Sequence, residues 1–208
     1  FPDEAIHELD RALMAGAVGI FVGANIEGAS LTDPLFETVW RRIDEKSLPV
    51  LVHPGPLPVA AEMHLSQYNL MQSVGFMCDT TISISRMIFD GFFDRYQRLK
   101  IIVSHVGGTL PYIVGRLDAC YEFMAPCREN INRKPSEYLR MIYYDSLGFT
   151  SDAIKLCLEV GGTEHVMYGS DYPHLIGQMD LAKERVSALP TKYHKSIFSK
   201  AARTIFSL

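Results

Sequence analysis

Three side chains that could bind a metal or move a proton each follow a short apolar run of the sequence. His53 ends PVLVH, His105 follows KIIVS, and Asp171 follows HVMYGS. Imidazole and carboxylate groups together suit zinc, manganese, iron or a similar divalent ion. The same groups could act as acid and base without a metal, because histidine titrates near neutral pH. For either histidine taken alone, a hydrogen-bonded packing residue is the alternative.

The segment around His105 indicates how such a side chain would be positioned. Residues 101–103 form a β-branched run that is typical of a strand buried on both faces of a parallel sheet. Gly107 and Gly108 allow a sharp turn after the histidine, and a helix is predicted to begin directly afterwards. Because parallel strands bring their carboxyl ends to one rim, we expect the three candidate side chains to converge there.

The whole chain is predicted to alternate strands with helices. Strands are predicted at residues 17–26, 49–53, 101–103, 141–148 and 165–171, each followed by a helix. An amphipathic helix over residues 2–15 precedes them, and another, from residue 191, ends the chain. Strict alternation is the signature of a parallel α/β fold. One domain over residues 1–208 is expected.

The number of predicted strands bears on the kind of α/β fold. A (β/α)₈ TIM barrel has eight strands and takes roughly 250 residues. The chain has five predicted strands, and its first helix has no strand before it. We therefore expect a TIM barrel of which strands 4 to 8 are present and strands 1 to 3 are missing from this chain. An open five-stranded sheet is the alternative.

Composition and charge exclude several classes of function. The net charge is -4 and no run of lysine or arginine occurs, so no nucleic-acid partner is expected. No apolar segment is long enough to cross a bilayer and no signal-peptide pattern is present, so no membrane association is expected. The four cysteines include no C-x-x-C pair, which predicts reduced thiols in a cytoplasmic protein.

Four motifs together carry a resemblance to a known family. LVHPGP, SHVGGTLPYIVGRLD, YYDSLG and YGSDYPH, in this order, resemble the amidohydrolase-related decarboxylases typified by aminocarboxymuconate-semialdehyde decarboxylase. The resemblance covers essentially the whole chain. It implies a (β/α)₈ barrel of the metal-dependent hydrolase type and a non-oxidative decarboxylase that acts on an aromatic or muconate-type carboxylic acid.

The resemblance also implies what individual residues do. His53 and Asp171 are implied as metal ligands, with zinc as the expected ion and manganese as the alternative. His105 is implied as the acid–base catalyst, assisted by Asp171. Arg116, in the GRLD motif, is implied to contact a substrate carboxylate, in some family members across a subunit interface, and a homodimer is expected. An ion pair on the helix surface is the alternative for Arg116.

The sequence also suggests supporting roles for other polar residues at the ends of the predicted strands. His174 follows Asp171 by three residues and is a candidate for substrate contact. Asp145 and Ser146 end a predicted strand at the same rim and are expected to support the site. His165 begins its strand, at the end remote from the site, and is expected to be structural.

The sequence lacks one motif of the family, so two other functions remain as alternatives. The family's first strand carries an H-x-H pair that supplies two metal ligands, and no two of the seven histidines have that spacing. A metal-dependent hydrolase of a lactone or an amide would use the same residues and is the nearest alternative. A non-catalytic barrel fragment that lacks the H-x-H ligands is the second.

Overall fold

A computed structural model describes residues 1–208, which form a parallel sheet connected by helices. The strands are β1 (Ile20–Gly23), β2 (Asn25–Ile26), β3 (Ala29–Ser30), β4 (Pro49–His53), β5 (Lys100–Val103), β6 (Tyr143–Asp145) and β7 (Val166–Met167). The helices are α1 (Pro2–Met14), α2 (Glu37–Glu45), α3 (Phe76–Phe89), α4 (Phe92–Arg95), α5 (Leu110–Phe123), α6 (Pro135–Leu139), α7 (Ser151–Gly161), α8 (Met179–Ser187) and α9 (Ala201–Phe206). None of them combines the length and the apolar character that crossing a bilayer requires.

The main sheet has five strands in the order β1-β4-β5-β6-β7, and every neighbouring pair is parallel. Each strand of this sheet therefore pairs with the sheet's next strand in chain order, and the order never reverses. The short strands β2 and β3 form a separate antiparallel hairpin. The predicted parallel α/β fold is confirmed.

The central strand β5 is buried on both faces, as its β-branched run predicts. On one face, Ile101 and Val103 of β5 belong to a core cluster of 28 buried residues shared with the helices. On the other face, Ile102 packs with Met167 and with Ala201 and Ile205 of α9. Successive residues of a strand point to opposite faces, so one short strand serves both clusters.

Some predicted elements differ from the structure. The strand predicted over residues 17–26 is β1 followed by the β2–β3 hairpin, because the chain turns tightly after Gly23. A Cβ atom at Gly23 would lie 2.7 Å from the carbonyl oxygen of Asn25, and the Asn25 side chain accepts a hydrogen bond from the Gly28 amide (3.0 Å). Helix α6 is an additional element that the predicted alternation of strands and helices does not include.

Candidate metal centre

His53 is the last residue of β4, and the hydrogen bonding of its ring determines which nitrogen faces the site. Nδ1 lies 3.1 Å from the carbonyl oxygen of Pro54. A carbonyl can only accept, so Nδ1 carries the proton and donates it. The other nitrogen, Nε2, lies 3.2 Å from Oδ1 of Asp171. The lone pair of Nε2 is therefore directed at the carboxylate, where it is available to a metal.

His105 follows β5 in a 3₁₀ turn over His105–Gly107. Its Nε2 lies 3.6 Å from Oδ2 of Asp171, and its ring centroid is 5.1 Å from that of His53. The side chain is buried, and Nδ1 contacts no protein hydrogen-bond partner. His105 thus presents one nitrogen to the same carboxylate as His53.

Asp171 follows β7 by four residues and has a left-handed backbone conformation, with φ of 57°. One oxygen of its carboxylate faces His53 and the other faces His105. One potential ligand atom from each of the three residues lies within 4.8 Å of the other two. The three side chains therefore converge at the carboxyl ends of the strands.

The spacing of these atoms suits a divalent cation. Two ligands bound to one ion at about 2.1 Å lie about 3.0 Å apart in octahedral geometry and about 3.4 Å apart in tetrahedral geometry. The 3.2 Å between His53 Nε2 and Asp171 Oδ1 falls between these values. Imidazole and carboxylate are also the donors that zinc and manganese accept. His53 and Asp171 therefore fit two adjacent ligand positions around a divalent metal ion.

Comparison with known proteins identifies the family. The sequence profile described as amidohydrolase matches residues 1–208. This chain belongs to the amidohydrolase family. The predicted family is therefore confirmed.

The relatives of this chain include decarboxylases. The 2-amino-3-carboxymuconate-6-semialdehyde decarboxylase of Dictyostelium discoideum is 30% identical over 179 residues, which cover 85% of this chain and 49% of that protein. The gamma-resorcylate decarboxylase of a Rhizobium species is 29% identical over 185 residues, which cover 83% of this chain and 56% of that protein. The chain thus spans about half the length of the curated relatives it matches.

Solved structures agree with this placement. The 5-carboxyvanillate decarboxylase of Novosphingobium aromaticivorans, complexed with manganese and 4-hydroxy-3-methoxy-5-nitrobenzoic acid, superposes with a TM-score of 0.89 at 28% identity. The superposition covers 100% of this chain and 61% of that one. The 2,6-dihydroxybenzoate decarboxylase from Rhizobium has a TM-score of 0.87 at 23% identity and shows the shared fold.

A buried aspartate and an asparagine hold the loop that follows His53. The carboxylate of Asp79, on α3, accepts hydrogen bonds from the Gly55 amide (2.9 Å) and from Nδ2 of Asn25 (3.0 Å). Burial raises the pKa of the Asp79 carboxyl, and these two hydrogen bonds oppose the rise. The sequence pattern does not single out either residue, although an acidic side chain in the apolar stretch FMCDTTISIS was an available signal.

Of the two residues predicted to contact the substrate, His174 lies beside the candidate metal centre, whereas Arg116 lies on the exposed face of α5. The ring of His174 is exposed and stacks near that of His53, with centroids 6.1 Å apart and planes 15° apart. Phe21, which the sequence pattern does not single out, also stacks near His53, at 5.4 Å. Arg116 is exposed on α5, and no acidic side chain lies within ion-pair distance of it. The Asp118 carboxylate instead accepts a hydrogen bond from the Ser136 amide.

Proposed function

We propose that this protein is a metal-dependent, non-oxidative decarboxylase of an aromatic or muconate-type carboxylic acid. The observation that carries the proposal is the meeting of His53, His105 and Asp171 at the carboxyl ends of the strands. Catalytic groups of barrel enzymes lie at that end. Relatives at 29–30% identity are decarboxylases of acids of both classes, which supports the substrate class.

His53 and Asp171 would hold the divalent ion, and zinc or manganese fits their donor atoms. The bound ion would act as a Lewis acid that polarises an oxygen of the substrate. Manganese in the solved 5-carboxyvanillate decarboxylase supports a divalent metal in this family. We retain zinc as the expected metal of this chain and manganese as its alternative.

His105 would supply the proton that replaces the lost carboxylate. Its Nε2–H donates a proton to the carbon that carries the carboxylate. The bond between that carbon and the carboxylate then breaks, CO₂ leaves, and the electron pair of the bond restores the unsaturated system. After CO₂ leaves, His105 would regain its proton from solvent.

Two further residues complete the proposed substrate site. Arg116 is exposed and unpaired, so its guanidinium is available to a carboxylate, which it fits in a bidentate manner. We propose that it contacts the substrate acid in a homodimer, and that the exposed ring of His174 contacts the substrate beside His53.

We also propose that the five parallel strands correspond to strands 4 to 8 of a TIM barrel and that residues 1–208 form one domain. The sequential strand order supports this assignment, because open doubly wound sheets reverse their order at a switch point. An apolar groove of about 500 Å³ between α1, α2 and the edge strand β1 leaves room for further packing. The four cysteines are free, and a cytoplasmic location stays a prediction.

The test is CO₂ release by the full-length protein, loaded with manganese or zinc, from gamma-resorcylate, 5-carboxyvanillate and 2-amino-3-carboxymuconate-6-semialdehyde. We expect one of these acids to be decarboxylated and His105→Gln to lower kcat by roughly 10² to 10⁴-fold, the range for loss of a general acid. His7→Gln, on the exposed face of α1, is the matched control and should leave the rate unchanged.

Two outcomes would contradict the proposal. Hydrolysis of a lactone or an amide without CO₂ release would identify the hydrolase that shares this residue set. A purified full-length protein that binds no divalent metal would identify a non-catalytic member of the family.

A further inference from the structure

Asp145, at the carboxyl end of β6, accepts hydrogen bonds from three backbone amides. Its Oδ2 accepts from the amide of His105 (2.9 Å), and its Oδ1 accepts from the amides of Val106 (3.0 Å) and Leu147 (3.0 Å). Two of these donors belong to the turn that follows β5, and the third belongs to the loop that follows β6. The carboxylate therefore ties together two neighbouring loops at the rim, through charge-assisted hydrogen bonds.

The turn that carries His105 requires such a partner. His105 and Val106 both have left-handed backbone conformations, with φ of 55° and 49°. That region is uncommon for residues other than glycine and is an outlier for a β-branched residue such as Val106. Consecutive amides in this conformation point towards one side and form a small anion-binding concavity. The Asp145 carboxylate occupies that concavity and stabilises the turn.

Asp145 also contacts the segment that leads to Asp171. A Cβ atom at Gly169 would lie 2.8 Å from the Cβ atom of Asp145 and 3.4 Å from its carboxyl carbon. Only glycine at this position lets the backbone before Asp171 approach so closely. The amide of Gly169 also donates a hydrogen bond to Oγ of Ser146 (3.4 Å), the residue that follows Asp145. One side chain therefore touches both the turn that carries His105 and the segment that carries Asp171.

From these contacts we infer that Asp145 is a positioning residue that holds the His105 ring at its working distance from Asp171. The inference rests on the proposed function, in which His105 is the proton donor. Asp145 itself acts through backbone amides and contacts neither the substrate nor the metal. Changing Asp145 should therefore impair the proton transfer more than substrate or metal binding.

The experiment replaces Asp145 by asparagine in the full-length, metal-loaded protein. The side-chain nitrogen that Asp145→Asn introduces cannot accept a hydrogen bond, so one of the turn's amides would face a donor instead of an acceptor. We expect kcat to fall roughly tenfold to hundredfold, as for a displacement of about 1 Å, while KM and the Kd for manganese change less than about threefold. Hydrogen exchange should become faster in a peptide that covers residues 104–108. Asp152→Asn, at an exposed carboxylate on α7, is the matched control.

A double-mutant cycle separates positioning from general stability. In a His105→Gln background, Asp145→Asn should lower kcat no further, because its effect passes through the His105 ring. Additive losses would overturn the inference. A lower Tm with an unchanged kcat would also overturn it, since Asp145 would then serve stability alone.

Hydrogen exchange keeps the inference testable in two further cases. If Asp145→Asn does not fold, the peptide over residues 104–108 in the wild-type protein must still exchange slowly, and fast exchange there would overturn the inference. If the wild-type protein releases no CO₂, the proposed function fails. Slow hydrogen exchange at residues 104–108 in the wild type and fast exchange there in Asp145→Asn would then still support the inference that Asp145 stabilises the turn.

Discussion

At the scale of single residues, the site depends on how each ring nitrogen is engaged. Nδ1 of His53 donates a hydrogen bond to the Pro54 carbonyl oxygen, so Nε2 is the unprotonated nitrogen and is directed at Asp171. The carboxylate of Asp171 is shared, with one oxygen towards each histidine. Loss of His53 should therefore weaken the metal centre directly.

We predict that His53→Ala lowers the affinity for zinc and manganese by more than about a hundredfold. Loss of a residue that only hydrogen-bonds to a metal ligand already costs about tenfold to hundredfold. The physical reason is the loss of an imidazole donor that the Pro54 carbonyl holds in the correct tautomer. Equilibrium dialysis followed by elemental analysis measures the effect. His7→Ala is the control, and equal metal content in both variants would exclude His53 as a ligand.

At the scale of elements, the connection between β5 and α5 has little freedom. Gly108 has φ of 64° and ψ of -120°, and a Cβ atom there would lie 2.8 Å from the Met77 carbonyl oxygen and 2.9 Å from Thr81 Oγ1. The Thr81 hydroxyl in turn accepts a hydrogen bond from the Thr109 amide (2.9 Å). Close packing of the turn against α3 thus depends on glycine.

We predict that Gly108→Ala lowers the free energy of unfolding by about 1–3 kcal/mol, because the new methyl group is placed in a conformation reserved for glycine. Gly115→Ala is a control of opposite sign. Gly115 lies within α5 with no atom near its Cβ position, so alanine there should stabilise by about 0.4–1 kcal/mol. Urea denaturation of both variants measures the two effects. A neutral Gly108→Ala would show that the turn is more adaptable than its contacts indicate.

At the scale of the whole molecule, the candidate site lies at one end of the strands and another histidine, His165, lies at the opposite end. His165 precedes β7 at the amino end of the sheet and is half-buried, with its ring centroid 4.5 Å from that of Tyr143. Burial lowers the pKa of His165, against the smaller opposing effect of the Ile142 and Arg140 carbonyls. Burial of His165 should therefore make folding stability depend on pH.

We predict that folding stability falls as pH drops below about 6.5, the usual value for histidine. In that range the unfolded chain binds a proton at His165 that the folded protein resists, so the stability present at higher pH is lost. His165→Phe keeps a ring against Tyr143 and should reduce this loss without changing CO₂ release. Thermal unfolding at pH 5.5 and 7.5 measures it, with His7→Gln as the control. An unchanged pH dependence in His165→Phe would assign the effect to other groups.

Local sequence was enough to predict where the five parallel strands lie, although three of them end earlier than predicted, at Gly23, Asp145 and Met167. The apolar runs before His53, His105 and Asp171 are buried strands, and the parallel order of those strands brings the three side chains to one place. The β2–β3 hairpin was not predictable from such runs, since Asn25 at its start is held by the carboxylate of Asp79, which lies far along the chain.

The sequence by itself determined the alternation of strands and helices, the family and the three residues that converge, because burial pattern and residue type are local properties. Only the tertiary structure decided which nitrogen of His53 faces Asp171, that Asp79 holds the loop after His53, and that Asp145 contacts both loops of the site. These depend on distances between segments far apart in the chain, and packing sets such distances only after the strands are paired.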